Sequence, residues 1–180
     1  MTAEVSLLLR TLSPLRDGVA PTDVAAWSRD DEAERLGSLL AFEDAAPGLA
    51  VRLARLGVRA SPTLQSLLRE SQAAARAREL LLREEVGTVA KVLGQAGIPF
   101  VLLKGAARCF VRGAPLVGAR TTNDCDVLVR STDVEPATNA LARAGYRHTD
   151  RRAPEGHWHA QPMQRGGMPI ELHHALGPAD

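Results

Sequence analysis

Apolar positions recur at helical spacing through the first half of the chain and at strand spacing through the second. Between Ser61 and Gly97, Leu64, Leu67, Leu68, Leu81, Leu82, Val89 and Leu93 are the candidate core positions of a helical repeat, the stripe that a core-facing helix presents. Ser61 offers an N-cap, and Pro62 stands at the first helical position, where a missing N–H costs nothing. The run predicts one long helix to Gly97 with a bend near Gly87. Upstream, Thr22 or Asp23 predicts a capped helix reaching about Ala45, broken by Pro47-Gly48. A short helix over Leu49 to Leu56 then stops at Gly57.

Beyond Gly97 the apolar runs shorten. Pro99 to Leu103 reads as a buried strand, and Lys104-Gly105 leads into a short helix from Ala106 to about Arg112. Gly113 to Asn123 is rich in Gly, Pro, Thr and Asn and predicts a loop. Asp124 to Val129 reads as a strand, and Asp133 caps a helix closing at Ala144-Gly145, with Gly145 left-handed. Tyr146 to Thr149 is a further strand; His157 to Gln164 and Met168 to His174 form a hairpin about Gly166-Gly167. The order predicts an α+β fold: a helical N-terminal region, residues 1–96, followed by a small mixed-sheet core, residues 97–180, packed as one globular unit.

Composition narrows the function classes. Hydrophobic residues make up 45% of the 180, enough for a core, while aromatics are 3%, too few for stacking platforms along a single strand of nucleic acid. The formal net charge of +1 gives no whole-chain attraction to nucleic acid. The basic tracts Arg76-Ala77-Arg78 and Arg147 to Arg152 read as solvated arginines, with an RNA contact as the sharper alternative. Cys109 and Cys125 form no CxxC pair and read as small buried hydrophobes. There is no membrane-length apolar run and no signal-peptide pattern, so a soluble cytoplasmic protein is expected.

Three segments carry candidate chemistry. In Val101 to Ala106 a buried strand meets a glycine at the mouth of a helix. Backbone can approach a phosphate closely there, although such turns are also purely structural. Lys104 adds a charge. In Asn123 to Val129, residues two apart share a face, so Asp124 and Asp126 project together and Cys125, Val127 and Val129 project oppositely. Two such carboxylates repel unless a cation sits between them, and Mg²⁺ held by one or two carboxylates and substrate phosphates meets that need. In Met168 to His174, Met168, Ile170 and Leu172 form the buried face, and Glu171 and His173 share the other. Glu171 could complete a metal site or serve as general base; taken alone it also fits an ordinary polar-out strand.

Together these segments resemble the bacterial family of uncharacterised nucleotidyltransferases, within the superfamily that has the polymerase-β-like core. The resemblance rests on Gly97 to Ala106 with its Leu-Lys-Gly, on Arg120 to Val129 with its D-x-D, on Ala137 through Leu141 to Gly145-Tyr146, and on Ile170-Glu171-Leu172-His173. It implies transfer of an NMP from an NTP, ATP among them, to a hydroxyl of an acceptor. It also implies a two-ion Mg²⁺ site on Asp124, Asp126 and Glu171, with Glu171 activating the acceptor. Lys104, Gly105, Ala106 and Arg120 would contact the nucleotide, Arg120 alternatively pairing with a carboxylate. The acceptor is a small molecule, a peptide or protein, or a tRNA end; toxin-type relatives with a similar arrangement bring in tRNA, which the charge does not show.

Two departures from the family pattern favour a second class of function. Ala106 stands where a glycine or serine is common, and the chain ends at Asp180, six residues after His174. The acceptor site would then come from the N-terminal helices or a partner, or activity is impaired. The alternative is a catalytically degenerate nucleotidyltransferase fold that binds a nucleotide or a protein. A transition-metal site on His157, His159 and His173 does not match common ligand spacings, so these histidines are expected at the mouth of the site or on the surface. A haloacid-dehalogenase-type phosphatase is disfavoured because Thr121-Thr122-Asn123, not a hydrophobic strand, precedes Asp124.

Overall fold

The computed structural model describes residues 11–12, 21–30, 36–40, 44–111, 118–150 and 158–176. The chain divides into two compact units: Met1–Ala77 with Pro115–Thr121, and Arg78–Ala114 with Thr122–Asp180.

The first unit is helical. Helix α1 spans Pro21–Trp27. The helix expected to run on to Ala45 is interrupted at Ser28-Arg29. The Trp27 carbonyl accepts from Ser61 N–H at 2.9 Å, and the Ser28 hydroxyl reaches the carbonyls of Val24 and Arg59. Hydrogen bonds made in this way compete with the helical ladder. Residues 36–40 are helical again. Helix α2 spans Ala46–Leu56 and holds Pro47 in its first turn, so Pro47-Gly48 opens this helix instead of preceding it. Proline is tolerated there because the N–H it lacks has no helical acceptor. Gly57 closes α2 at φ 65°, the left-handed conformation expected of it. Trp27, Leu36, Leu40, Leu49, Leu53, Leu64 and Leu68 build the core of this unit.

Helix α3 spans Pro62–Gln95, unbroken through Gly87, and contributes to both units. The Ser61 hydroxyl accepts from Leu64 N–H at 3.3 Å, the expected N-cap. In the second unit its buried stripe is Leu82, Val86, Val89 and Leu93, the i, i+4, i+7, i+11 spacing of one helix face. Leu81 was a core candidate but is 51% exposed; it lies about 100° around the helix from Leu82.

The sheet follows. Strand β1 is Phe100–Leu102, helix α4 is Lys104–Arg108, and β2 is Cys125–Val129. A 3-10 turn at Ser131–Asp133 leads into α5, Val134–Arg143. Asp133 holds the N-cap position without a side-chain capping bond, while Gly145 is left-handed at φ 96° as expected. Strands β3, Arg147–His148, β4, Met163–Gln164, and β5, Ile170–His173, complete the sheet. Its order is β1-β2-β5-β4-β3; β2 and β5 run parallel and the other pairs antiparallel. A mixed sheet behind a helical N-terminal part is the expected α+β fold.

Several elements of this unit are shorter than expected, β3 and β5 among them. Helix α4 begins at Lys104 and ends at Arg108, and the end expected near Arg112 lies outside the described residues. The strand expected over His157 to Gln164 is reduced to Met163–Gln164 and a single bridge from His159 to His173. Pro162 has no N–H to give a ladder, and His157 lies outside the described residues. One face of β2 and β5, with Cys125, Val127, Val129, Ile170 and Leu172, enters a core shared with Leu82, Val89, Leu141 and Tyr146.

Candidate active site

The other face of β2 and β5 carries the polar residues. Side chains alternate along a strand, so burying Cys125, Val127 and Val129 turns Asp126 the opposite way. Because β2 and β5 are parallel neighbours, Asp126 pairs in register with Glu171, and Leu128 pairs with His173. Asp126, Glu171 and His173 therefore converge: each offers a ligand atom, and these atoms lie within 4.8 Å of one another. Among the described residues this is the one such group.

Asp126 is the buried centre of the group, 1% exposed. Its Oδ1 accepts from Lys104 Nζ at 2.8 Å and from His173 Nε2 at 2.8 Å. Glu171 Oε2 lies 3.8 Å from the same His173 nitrogen. Asp126 Oδ2 is buried with no hydrogen-bond partner among the described residues. An ionised carboxylate in such a place costs several kcal/mol, roughly, unless it is neutralised. Bare, buried and flanked by a second carboxylate, Oδ2 fits a divalent cation. The residues present therefore suit a divalent metal ion.

Lys104 reaches Asp126 through an unusual backbone. Its φ is +43°, left-handed for a residue with a side chain, at a cost of about 1–2 kcal/mol. Leu103 N–H donates to the Asp126 carbonyl at 3.0 Å and ties this turn to β2. The Lys104 pKa is raised, first by its hydrogen bond to Asp126; partial burial opposes the rise, and the charges of Asp126, Asp124 and Glu171 add to it. The ammonium thus stands in the field of all three carboxylates named from the sequence. Asp124 precedes β2, is partly buried, and lies outside the three-ligand group.

The remaining site candidates divide. Gly105 and Ala106 lie in the first turns of α4, with Ala106 fully buried. A Cβ on Gly105 would lie 2.8 Å from Thr122 Oγ1 and 3.2 Å from Thr122 Cβ, so Thr122 fills the space that glycine leaves. Arg120 is exposed and belongs to the first unit, in the segment Pro115–Thr121. In the basic tracts, Arg78 donates to Asn123 Oδ1 and Arg147 to the carbonyls of Ala142 and Tyr146.

Sequence reasoning left His173 at the mouth of the site or on the surface. It is instead 2% exposed and bonded to Asp126. The available signal was its period-two relation to Glu171 on one strand face. His159 packs its ring against His173, with centroids 5.4 Å apart. Both cysteines are buried as expected. Burial, with smaller contributions from neighbouring charges including Glu85, pushes the Cys125 thiol up to about 12. No helix among the described residues is long and apolar enough to cross a membrane.

Carboxylates on adjacent parallel strands of a small mixed sheet, with a lysine turn reaching back to them, are the framework of a nucleotidyl-transfer core. Over residues 29–180 the chain matches the family described as uncharacterised nucleotidyltransferase, and it belongs to that family. No curated protein matches the chain, and no solved structure does.

Proposed function

We propose that the protein is a divalent-metal-dependent nucleotidyltransferase that moves an NMP from an NTP to an acceptor hydroxyl, Mg²⁺ being the ion that the family resemblance implies. The observation that carries this reading is the buried Oδ2 of Asp126 beside Glu171, without a hydrogen-bond partner among the described residues, in a chain of this family. Asp126 and Glu171, with Asp124 at the entrance to β2, would hold the ion. A bound divalent ion supplies neutralisation of the triphosphate and of the developing charge on the leaving pyrophosphate. Glu171, partly exposed, would accept the proton of an attacking hydroxyl. Lys104 would release Asp126 and contact phosphate oxygens as a flexible point charge. The acceptor hydroxyl belongs to a small molecule, a peptide or protein, or a tRNA end.

A second reading has one observation in its favour. Lys104 already rests on Asp126 Oδ1, so a resident ammonium could replace the ion in a fold that binds without turnover. Calorimetry with each of the four NTPs, with and without Mg²⁺, separates the two. Metal-dependent binding that is lost in Asp126→Ala, with the fold retained by circular dichroism, supports the enzyme. Binding that ignores both metal and Asp126 refutes it in favour of the second reading.

A further inference from the structure

Two carboxylates from adjacent strands meet the needs of a hard cation, but here an imidazole shares their space. His173 is 2% exposed, and its Nε2 lies 2.8 Å from Asp126 Oδ1 and 3.8 Å from Glu171 Oε2. Adjacent ligand atoms on an octahedral ion with bonds of about 2.1 Å lie about 3.0 Å apart. The Asp126–His173 separation is already near that edge, and an inward turn of the partly exposed Glu171 closes the other. Buried Oδ2 of Asp126 has no hydrogen-bond partner among the described residues, so one oxygen of this carboxylate stands open although Lys104 pairs with the other.

We propose that His173 is a nitrogen ligand of the cation held by Asp126 and Glu171, and that this one-nitrogen, two-carboxylate set takes Mn²⁺ in preference to Mg²⁺. The inference rests on the reading of these carboxylates as a cation site. Without an ion, His173 donates Nε2–H to Asp126 Oδ1. As a ligand the ring would present the Nε2 lone pair to the metal and carry its proton on Nδ1. Mg²⁺ favours oxygen ligands and keeps its waters; a nitrogen ligand shifts a carboxylate site toward first-row ions, and Mn²⁺ is the one of these that otherwise shares the carboxylate and water ligands of Mg²⁺. His159 packs against His173 at a tilt, 5.4 Å between ring centroids, with its Nδ1 2.9 Å from the Ala160 carbonyl, and stands outside the ligand set.

The test uses the full chain, stripped of metal and labelled with ¹⁵N-histidine so that nucleotide nitrogens do not count. Mn²⁺ is titrated with and without a non-hydrolysable NTP, followed by loss of the free-ion EPR signal; Mg²⁺ is measured by competition. Bound Mn²⁺ should show ¹⁵N coupling in wild type and in His159→Gln, and none in His173→Gln. Mn²⁺ affinity should fall on the order of tenfold in His173→Gln, and Mg²⁺ affinity much less, with folding checked by circular dichroism. Mn²⁺ bound to wild type without ¹⁵N coupling overturns the role of His173 and leaves the carboxylate site standing, whether or not the variant folds. Equal affinities for Mn²⁺ and Mg²⁺ in wild type overturn the stated preference. Neither ion binding under either condition overturns this inference and the cation site together.

Discussion

Gly105→Ala asks whether the glycine after Lys104 serves the fold or a ligand. Gly105 lies in α4 and shows no left-handed φ, so alanine fits the backbone and by itself would add up to about 1 kcal/mol of helix stability. Against that, the new methyl would lie 2.8 Å from Thr122 Oγ1 and 3.2 Å from Thr122 Cβ. Rotating Thr122 about χ1 moves the hydroxyl but not its Cβ, and a β-branched side chain has few other rotamers. Overpacking of this kind costs about 1–3 kcal/mol. The net expectation is a loss of roughly 0–2 kcal/mol, with a coupling to Thr122 of about 1–2 kcal/mol. Urea unfolding of wild type, Gly105→Ala, Thr122→Ala and the double variant measures that coupling, provided the m-values agree. In the Thr122→Ala background the glycine-to-alanine change should become neutral or stabilising. A Gly105→Ala protein as stable as wild type, with no coupling, would refute the packing argument. If that same variant had lost NTP binding, the glycine would belong to the ligand and not to Thr122.

Other perturbations test the site and its supports. Lys104→Met should tighten divalent-ion binding several-fold in the absence of nucleotide, because it removes the ammonium competing for Asp126 Oδ1; weaker ion binding would show that Lys104 organises the site instead. Cys125, with its pKa raised from 9.0 to about 12, should resist a thiol reagent at pH 8 until the protein unfolds, and prompt labelling would refute its burial. Its folded pKa is the higher one, so the stability it contributes is whole below pH 9 and is lost as pH rises toward about 12. The Tyr146 pKa is also raised, first by burial and then by its hydrogen bond to Glu85, and acts with the same sign, so unfolding should steepen above about pH 9–10. Tyr146→Phe strips a buried donor from Glu85 Oε1 and should cost about 1–3 kcal/mol; Tyr146→Phe with Glu85→Leu should recover much of that loss.

Much of the sheet unit was legible because period two survives in a short strand. Cys125, Val127 and Val129 alternate with Asp126 and Leu128, and Ile170 and Leu172 with Glu171 and His173, so both core faces and both polar faces could be read from residue type alone. What local sequence does not carry is register. Nothing within Met168 to His174 says that Glu171 aligns with Asp126 on a parallel neighbour, since pairing across 45 residues is a property of the assembled sheet. The same limit explains Gly105: its partner Thr122 is brought close only by the path of the chain. The helical misreadings have local causes with distant agents. Trp27 loses its carbonyl to Ser61, and Leu81 falls outside a stripe that Val86 joins.

Asp126 shows how a buried carboxylate is held in place by a lysine and a histidine on one of its oxygens. Strand β2 lies between β1 and β5, and the Lys104 turn and His173 sit against Asp126 on its face of the sheet, leaving it 1% exposed. A buried charge of this kind persists only with opposite charge and hydrogen bonds around it. Lys104 and His173 both serve Oδ1, and neither serves Oδ2. That asymmetry has a functional cost and a functional use. The protein satisfies one oxygen enough to fold, with a strained lysine backbone as part of the arrangement, and leaves the other with binding free energy to release. On the proposed function, a ligand that brings its own divalent charge would gain at Oδ2 what the fold forgoes there. Affinity for metal and affinity for the metal-bound nucleotide should therefore rise and fall together across variants of Asp126, Lys104 and His173, and variants that separate them would show that Oδ2 is not where the two meet.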